Sequence, residues 1–515
     1  MKALVSHEST QSSSISSRSP RLSNSWACLA FGFALMLVAD GRDTAALAMW
    51  PAQALLLRFL RTQPIARGLA VLFVLRILVI VIAFRGMIPI PLPYYYFFLV
   101  IAGLSGLIPY ALDRWIAPRF PGFSNTLIFP LALTVSQWVY GHGPMGSWGS
   151  IAYSQTGSLA LEQLVSITGL SGIVFLIGWF ASTVNWAWEG REFRRLGAII
   201  ATLGAVVLFG ELRLAFFPPA ATTVRVASLS RSPTLPQPSD ALTHKVAFEN
   251  PSSAEIAAFR SETAAVNDDL LARTELEARS GAKLIFWAEG NGQLLKQDES
   301  ALLARSEALA RKYGAYVVPA LYVWTPGAPK PLENKVVMIG PDGAEAWQYW
   351  KSRPTPGPEM AASIKSDGRL RMVDTPYGRL TAAICYDMDF PTLLIQAGRT
   401  HADLVLSPAN DWQAIDPRHT EIASFRAIEE GFNLVRQSSG GLSAAYDYEG
   451  RVIAASDSWH SANGTLVAEV PTRGTRTVYS ILGDWVVWPC GAGLLVFIGM
   501  RMRRRSHRSE NLANV

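Results

Sequence analysis

Cysteine is scarce in this chain. Its three thiols, Cys28, Cys385 and Cys490, are spread through 515 residues, too few and too scattered for a disulfide framework. Cys28 and Cys490 lie in apolar segments, where cysteine packs as a small hydrophobe, so only Cys385 has chemically interesting neighbours. Charge is scarce as well. Only 17% of the residues are charged, half are hydrophobic, and the mean hydropathy of +0.20 is high for a wholly soluble protein. The net charge of +6 does not call for nucleic acid. Much of the basic excess sits in short loops beside apolar runs, where it sets membrane topology instead. No metal-ligand spacing joins His419 to another histidine or to a cysteine, and neither a metal nor a cofactor is expected. No internal repeat or long low-complexity stretch is present.

Long apolar runs are abundant. Seven precede a polar middle, at residues 26–39, 44–60, 68–84, 94–112, 124–140, 169–188 and 197–216, and an eighth follows at 484–499. A helix needs about 20 residues to cross a bilayer, so the first two and the last are marginal by length. Charge placement supports the count. If every run spans, Arg18/Arg21, Arg58/Arg61/Arg67, Arg114/Arg119, Arg191/Arg194/Arg195 and Arg501/Arg503/Arg504/Arg505 all fall on one side, which the positive-inside rule makes the cytoplasm. The first run lacks an obvious cleavage site and reads as a retained helix. The expected organisation is a disordered cytoplasmic tail (1–24), a seven-helix transmembrane domain (25–219) and an extracytoplasmic domain (220–478). A C-terminal transmembrane helix (479–500) and a basic cytoplasmic tail (501–515) complete it.

The middle segment alternates β-branched runs with amphipathic stretches. Residues 223–229, 284–288, 316–320, 335–339, 380–384, 404–407 and 434–437 read as strands, and 254–280 and 301–313 as helices. That alternation predicts an α/β domain, so the fold class is a membrane all-α bundle of about eight helices joined to an α/β domain.

Three chemically capable residues each end a strand-like run. Glu289 follows 284–288 (LIFWA), Lys351 follows Tyr349-Trp350, and Cys385 follows 380–384 (LTAAI). A thiol is mostly protonated at neutral pH, and the thiolate is the nucleophile. A carboxylate in reach can take the proton during attack. The oxyanion built by attack on an acyl carbonyl then needs a fixed positive charge or aimed N–H donors. Glu289, Lys351 and Cys385 offer base, electrophile and nucleophile, and the turn after Cys385 offers backbone N–H groups. Singly, each has a bland reading: a structural thiol, a solvated carboxylate, a snorkelling lysine.

In that order and context, the three resemble the Glu-Lys-Cys triad of the nitrilase, or carbon–nitrogen hydrolase, superfamily. The whole architecture is similar to the apolipoprotein N-acyltransferase family. The segments that carry the resemblance are 51–61 (PAQALLLRFLR), 153–155 (YSQ), 163–169 (QLVSITG), 334–343 (NKVVMIGPDG), Asn410-Asp411-Trp412, His419, Arg426-Ala427, Glu429 and 483–485 (GDW). The resemblance implies a four-layer αββα sandwich, with Glu289 as general base, Lys351 as oxyanion stabiliser and Cys385 as the thioester-forming nucleophile. Glu359 is then the second acid after the lysine loop, and Tyr386 and Asp387 stand where the family has Tyr-Glu. It also implies the partners: a phospholipid acyl donor, a lipoprotein acceptor and the bilayer itself, at the outer face of the cytoplasmic (inner) membrane.

This sequence departs from the family at several places. Glu289 lacks the preceding proline and following Thr or Ser, the loop 352–360 lacks the aromatic after Glu359, and Asp387 replaces a glutamate. Two other readings therefore stay open, a membrane-anchored amidase acting on a small C–N substrate and a non-catalytic envelope scaffold. A simple amidase would need one anchor, not seven helices before its domain. Two loops, 352–366 and 411–418, read as lids. Arg76, inside the third apolar run, is a functional-site candidate by its position.

Overall fold

Each apolar run becomes a helix, because in hydrocarbon a chain must satisfy every backbone polar group within itself. The computed structural model describes residues 20–42, 44–219, 222–235, 238–460 and 464–513; most of the expected N-terminal tail lies outside them. Among the described residues, four helices are long and apolar enough to cross a membrane: Ile65–Ala83, Leu92–Arg119, Leu170–Gly190 and Phe193–Phe216. Phe193–Phe216 and Ile65–Ala83 leave most of their apolar side chains uncovered, as lipid-facing helices do.

The expected count of eight spans is not reached by this criterion. Met49–Thr62 has only 14 residues and packs, largely buried, between Pro20–Ala39 and Leu170–Gly190. Asn125–Gly141 has 17 residues, and the apolar part of the first helix is Asn24–Ala39. These helices owe their place to packing against neighbours more than to length.

The globular part holds two sheets packed face to face. In the first, the order is Thr465–Pro471, Thr223–Leu229, Leu284–Trp287, Tyr316–Val318, Leu332–Ile339, Ala320–Trp324 and Gly292–Leu295, with Glu345–Trp350 paired to Leu332–Ile339. In the second it is Val452–Asp457, Leu442–Tyr446, Asn433–Ser438, Leu404–Ala409, Gly378–Ala382 and Val373–Thr375. The central strands are parallel and wholly buried, which is why they read as continuous apolar runs. Ser228 donates to Gln437 across the two sheets at 2.6 Å.

Helices Ser253–Arg279 and Glu299–Tyr313 cover the first sheet, and Pro391–Arg399 and Arg418–Glu430 the second, completing the four-layer αββα sandwich. Every residue of Arg418–Glu430 is buried except Glu421. Its Ala423 and Ala427 join the sandwich core, while Ile422, Phe425 and Ile428 join the core of the membrane helices. One helix thus serves two cores.

Candidate active site

The three strand ends meet. Glu289 leaves Leu284–Trp287 just before Gly290, whose φ of +63° makes the turn. Lys351 leaves Glu345–Trp350, and its N–H bonds the Asn334 carbonyl at 2.9 Å. Cys385 follows Gly378–Ala382 and starts a tight turn with φ of +49°. A left-handed conformation costs a non-glycine residue on the order of 1 kcal/mol or more, so the surrounding contacts hold the thiol in a strained backbone.

Lys351 Nζ lies 2.8 Å from Glu289 Oε1 and 2.9 Å from Glu359 Oε1. Asn334 Nδ2 donates to the same two carboxylates, at 2.7 Å and 2.9 Å, and the Thr355 N–H donates to Glu359 at 2.9 Å. Burial alone would push the Lys351 ammonium down, but Glu289 and Glu359 outweigh it and raise the lysine well above its ordinary value. Burial likewise opposes the charge of Glu359, and Lys351 and Thr355 hold it below the usual range. Burial and then the Glu289 carboxylate push the Cys385 thiol well up, against the pull of Lys351. At rest Cys385 is therefore a thiol, and a nucleophilic role would require a base at the moment of attack.

The far side of the thiol carries a second ionic group. Asp411 Oδ1 is 3.9 Å from Cys385 Sγ. Asp411 also takes His419 Nδ1 at 2.6 Å, Arg436 Nη2 at 3.1 Å and Ser438 Oγ at 3.1 Å, and His419 Nε2 lies 3.1 Å from Asp389. Burial pulls His419 down, but Asp411 lifts it to about 8. Ligand atoms of Cys385, Asp411 and His419 lie within 4.8 Å of one another. The Arg436 guanidinium already occupies the carboxylate a cation would need. The sequence does not single out Asp389 or Arg436; an arginine within the apolar strand Asn433–Ser438 is the signal that points to the latter.

Asp387 does not reach the lysine. Its two oxygens accept from the N–H groups of Ser352 (3.1 Å), Arg353 (2.8 Å) and Ile384 (3.0 Å) and from Tyr349 Oη (2.7 Å). Burial pushes its carboxyl up to about 6, against those donors. Tyr386 points the other way, donating to the Pro144 carbonyl at 3.3 Å. Tyr349 is buried beside Asp387, whereas Trp350 Nε1 donates to Glu333 at 3.1 Å.

Cys385 opens into a cavity of about 30 Å³ walled by Met87, Pro89, Met145 and Trp148 of the helical part and by Trp412 and Ile415. The loop 411–418 is clamped there: Trp412 Nε1 donates to the Gly86 carbonyl at 2.7 Å, Arg42 to the Asp416 carbonyl at 2.9 Å, and Arg418 to Asp40 at 3.0 Å. The larger cavity of about 110 Å³ among the helices, where Arg76 lies, is a different space that shares Trp148 with this one.

Residues 256–479 match the family model described as Carbon-nitrogen hydrolase, so the globular part is a nitrilase-like domain. Over the longer span, the chain is 24% identical across 424 residues to an apolipoprotein N-acyltransferase of Rhodopseudomonas palustris, covering 74% of this chain and 75% of that one. It is 26% identical across 433 residues to one of Bradyrhizobium diazoefficiens, covering 77% and 76%. An amidase from Nesterenkonia sp. aligns with 50% of this chain and 94% of its own at 18% identity and a TM-score of 0.39. Over about three quarters of its length the chain is similar to apolipoprotein N-acyltransferases, and it is a membrane protein and an enzyme.

Proposed function

We propose that this protein moves a fatty acyl chain from a membrane phospholipid, through a thioester on Cys385, to the α-amine of a diacylglyceryl-cysteine at the N-terminus of a lipoprotein. Glu289 takes the thiol proton as sulfur attacks the ester carbonyl. Lys351, held cationic by two carboxylates, and the N–H groups of the following turn stabilise the oxyanion. Collapse expels the lysophospholipid alkoxide, which recovers the proton from Glu289. The acceptor amine then attacks the thioester, Glu289 removes its proton, and the thiolate leaves and is reprotonated. A covalent intermediate lets two bulky lipids use one site in turn.

One observation carries this reading: the thiol faces a small apolar cavity walled by the helical part while its polar partners stand on the globular side. A lipid ester can reach sulfur from the bilayer, and little water can follow to hydrolyse the thioester. The outer face of the cytoplasmic membrane is supported by charge. Arg58 with Glu189, Arg61 with Asp113, and Arg114 with the Gln63 carbonyl gather at one end of the bundle. Asp40 with Arg418 and Gly86 with Trp412 mark the opposite end, where the catalytic domain docks. The test is intact mass of the purified protein in phospholipid micelles. A hydroxylamine-labile acyl adduct is expected on the wild type and none on Cys385→Ala; an adduct that survives that substitution refutes the assignment.

A further inference from the structure

A second opening reaches Glu359 and Asp411 from the globular side. It is a cleft of about 650 Å³ lined wholly by residues of the globular part. Glu359, Asp411 and Gly290 line it, as do Gln293, Trp324 and Trp459. The ring of Tyr322, also in the lining, packs on Gly290, where an added Cβ would meet it at 2.6 Å. Strands Gly292–Leu295 and Ala320–Trp324 are parallel with Gln293 opposite Tyr322. Alternation along the strand puts Trp324 on the same face as both.

Two polar atoms of residues lining this cleft are buried without a partner among the described residues: the indole N–H of Trp324 and the side-chain oxygen of Gln293. Buried polar groups are normally satisfied, and an unpaired one costs the full loss of its hydration. One is a donor and the other an acceptor, the complement of a peptide unit's C=O and N–H. The cleft reaches Glu359, which shares Lys351 with Glu289, and Asp411, 3.9 Å from the thiol, and no residue of the helical part lines it.

Resting on the acyltransfer reading above, we infer that this cleft binds the polypeptide that follows the modified cysteine of the acceptor, with Trp324 Nε1 and Gln293 Oε1 pairing with its main-chain amides. The diacylglyceryl group then stays on the membrane side, at the Met87–Trp148 wall, while the peptide runs out between Tyr322 and Trp459.

The experiment compares two synthetic acceptors with the full chain in phospholipid micelles: a diacylglyceryl-cysteinyl peptide with five further residues, and diacylglyceryl-cysteine amide with none. The wild type is expected to show a lower KM for the longer acceptor. In Trp324→Phe and Gln293→Leu that advantage shrinks by about five- to tenfold. Equal KM values for the two acceptors in the wild type, or an advantage untouched in both variants, overturns the inference. A photoreactive benzophenone placed on the third residue of the peptide supplies a binding readout in Cys385→Ala, independent of chemistry. Crosslinks to strand Ala320–Trp324 or helix Asp240–Phe248 support the cleft, and crosslinks confined elsewhere refute it. Absence of any Cys385 adduct would count against acyl transfer alone, because the crosslink still reports on the cleft.

Discussion

Tyr349 donates its hydroxyl to Asp387 at 2.7 Å, tying the strand that delivers the lysine to the turn that delivers the thiol. The same carboxylate takes the N–H groups of Ser352 and Arg353 after Lys351 and of Ile384 before Cys385. Asp387 is therefore a positioning residue: it sets the lysine against the cysteine without touching either reacting atom. Aspartate, one methylene shorter than the family's glutamate, fills that role here by sitting within the turn itself.

Asp387→Asn replaces an acceptor oxygen by an NH₂ group that faces N–H donors. The expected loss is about 1–3 kcal/mol of stability, read as a lower thermal midpoint in detergent, together with slower acylation. Unchanged midpoint and rate would remove the positioning role.

Lys351→Ala removes the positive charge from the oxyanion and from two buried carboxylates. Acyl-adduct formation should fall about a hundred- to a thousandfold, while the protein still inserts into membranes. Single-turnover mass kinetics check the first expectation, and carbonate extraction of membranes the second. A wild-type acylation rate would end the electrostatic role.

His419 carries a pH signature. Its folded value of about 8 exceeds the ordinary 6.5 because Asp411 outweighs burial. A group raised on folding contributes stability that is full below its unfolded value and lost as pH rises through the folded one. Stability should thus decline between about pH 6.5 and 8, by on the order of 2 kcal/mol from this group. His419→Gln should flatten that slope; a slope that persists would show another group to be responsible.

Gly146 couples the helical part to the catalytic turn. Its φ is +57°, and an added Cβ would lie 2.5 Å from the Asp389 carbonyl oxygen. That same carbonyl accepts from the N–H of Ser147 at 2.7 Å and from its hydroxyl at 2.8 Å. Gly146→Val should cost about 1–3 kcal/mol through strain and collision and lower acylation more than membrane insertion. Full activity in that variant would mean the loop can shift without consequence.

Much of the sandwich was legible because its central strands are uniform apolar runs ended by the reactive residues. The short edge strands Gly292–Leu295 and Val373–Thr375 were not, since a few mixed residues give no periodicity. The number of spans is not confirmed for a related reason. Met49–Thr62 is apolar because it is buried in protein, and composition cannot distinguish that from burial in lipid.

The chain's own order of residues determined that a thiol, a lysine and a carboxylate would each stand at the end of a strand, since pattern and turn chemistry are local. It also determined that apolar helices would flank them. Only the tertiary structure decided which polar groups answer one another: Asn334 bridging two carboxylates, Asp411 held by His419 and Arg436, Asp387 turned toward backbone N–H groups. Those pairings join residues far apart in the chain, and a buried charge is stable only beside partners that folding alone brings to it.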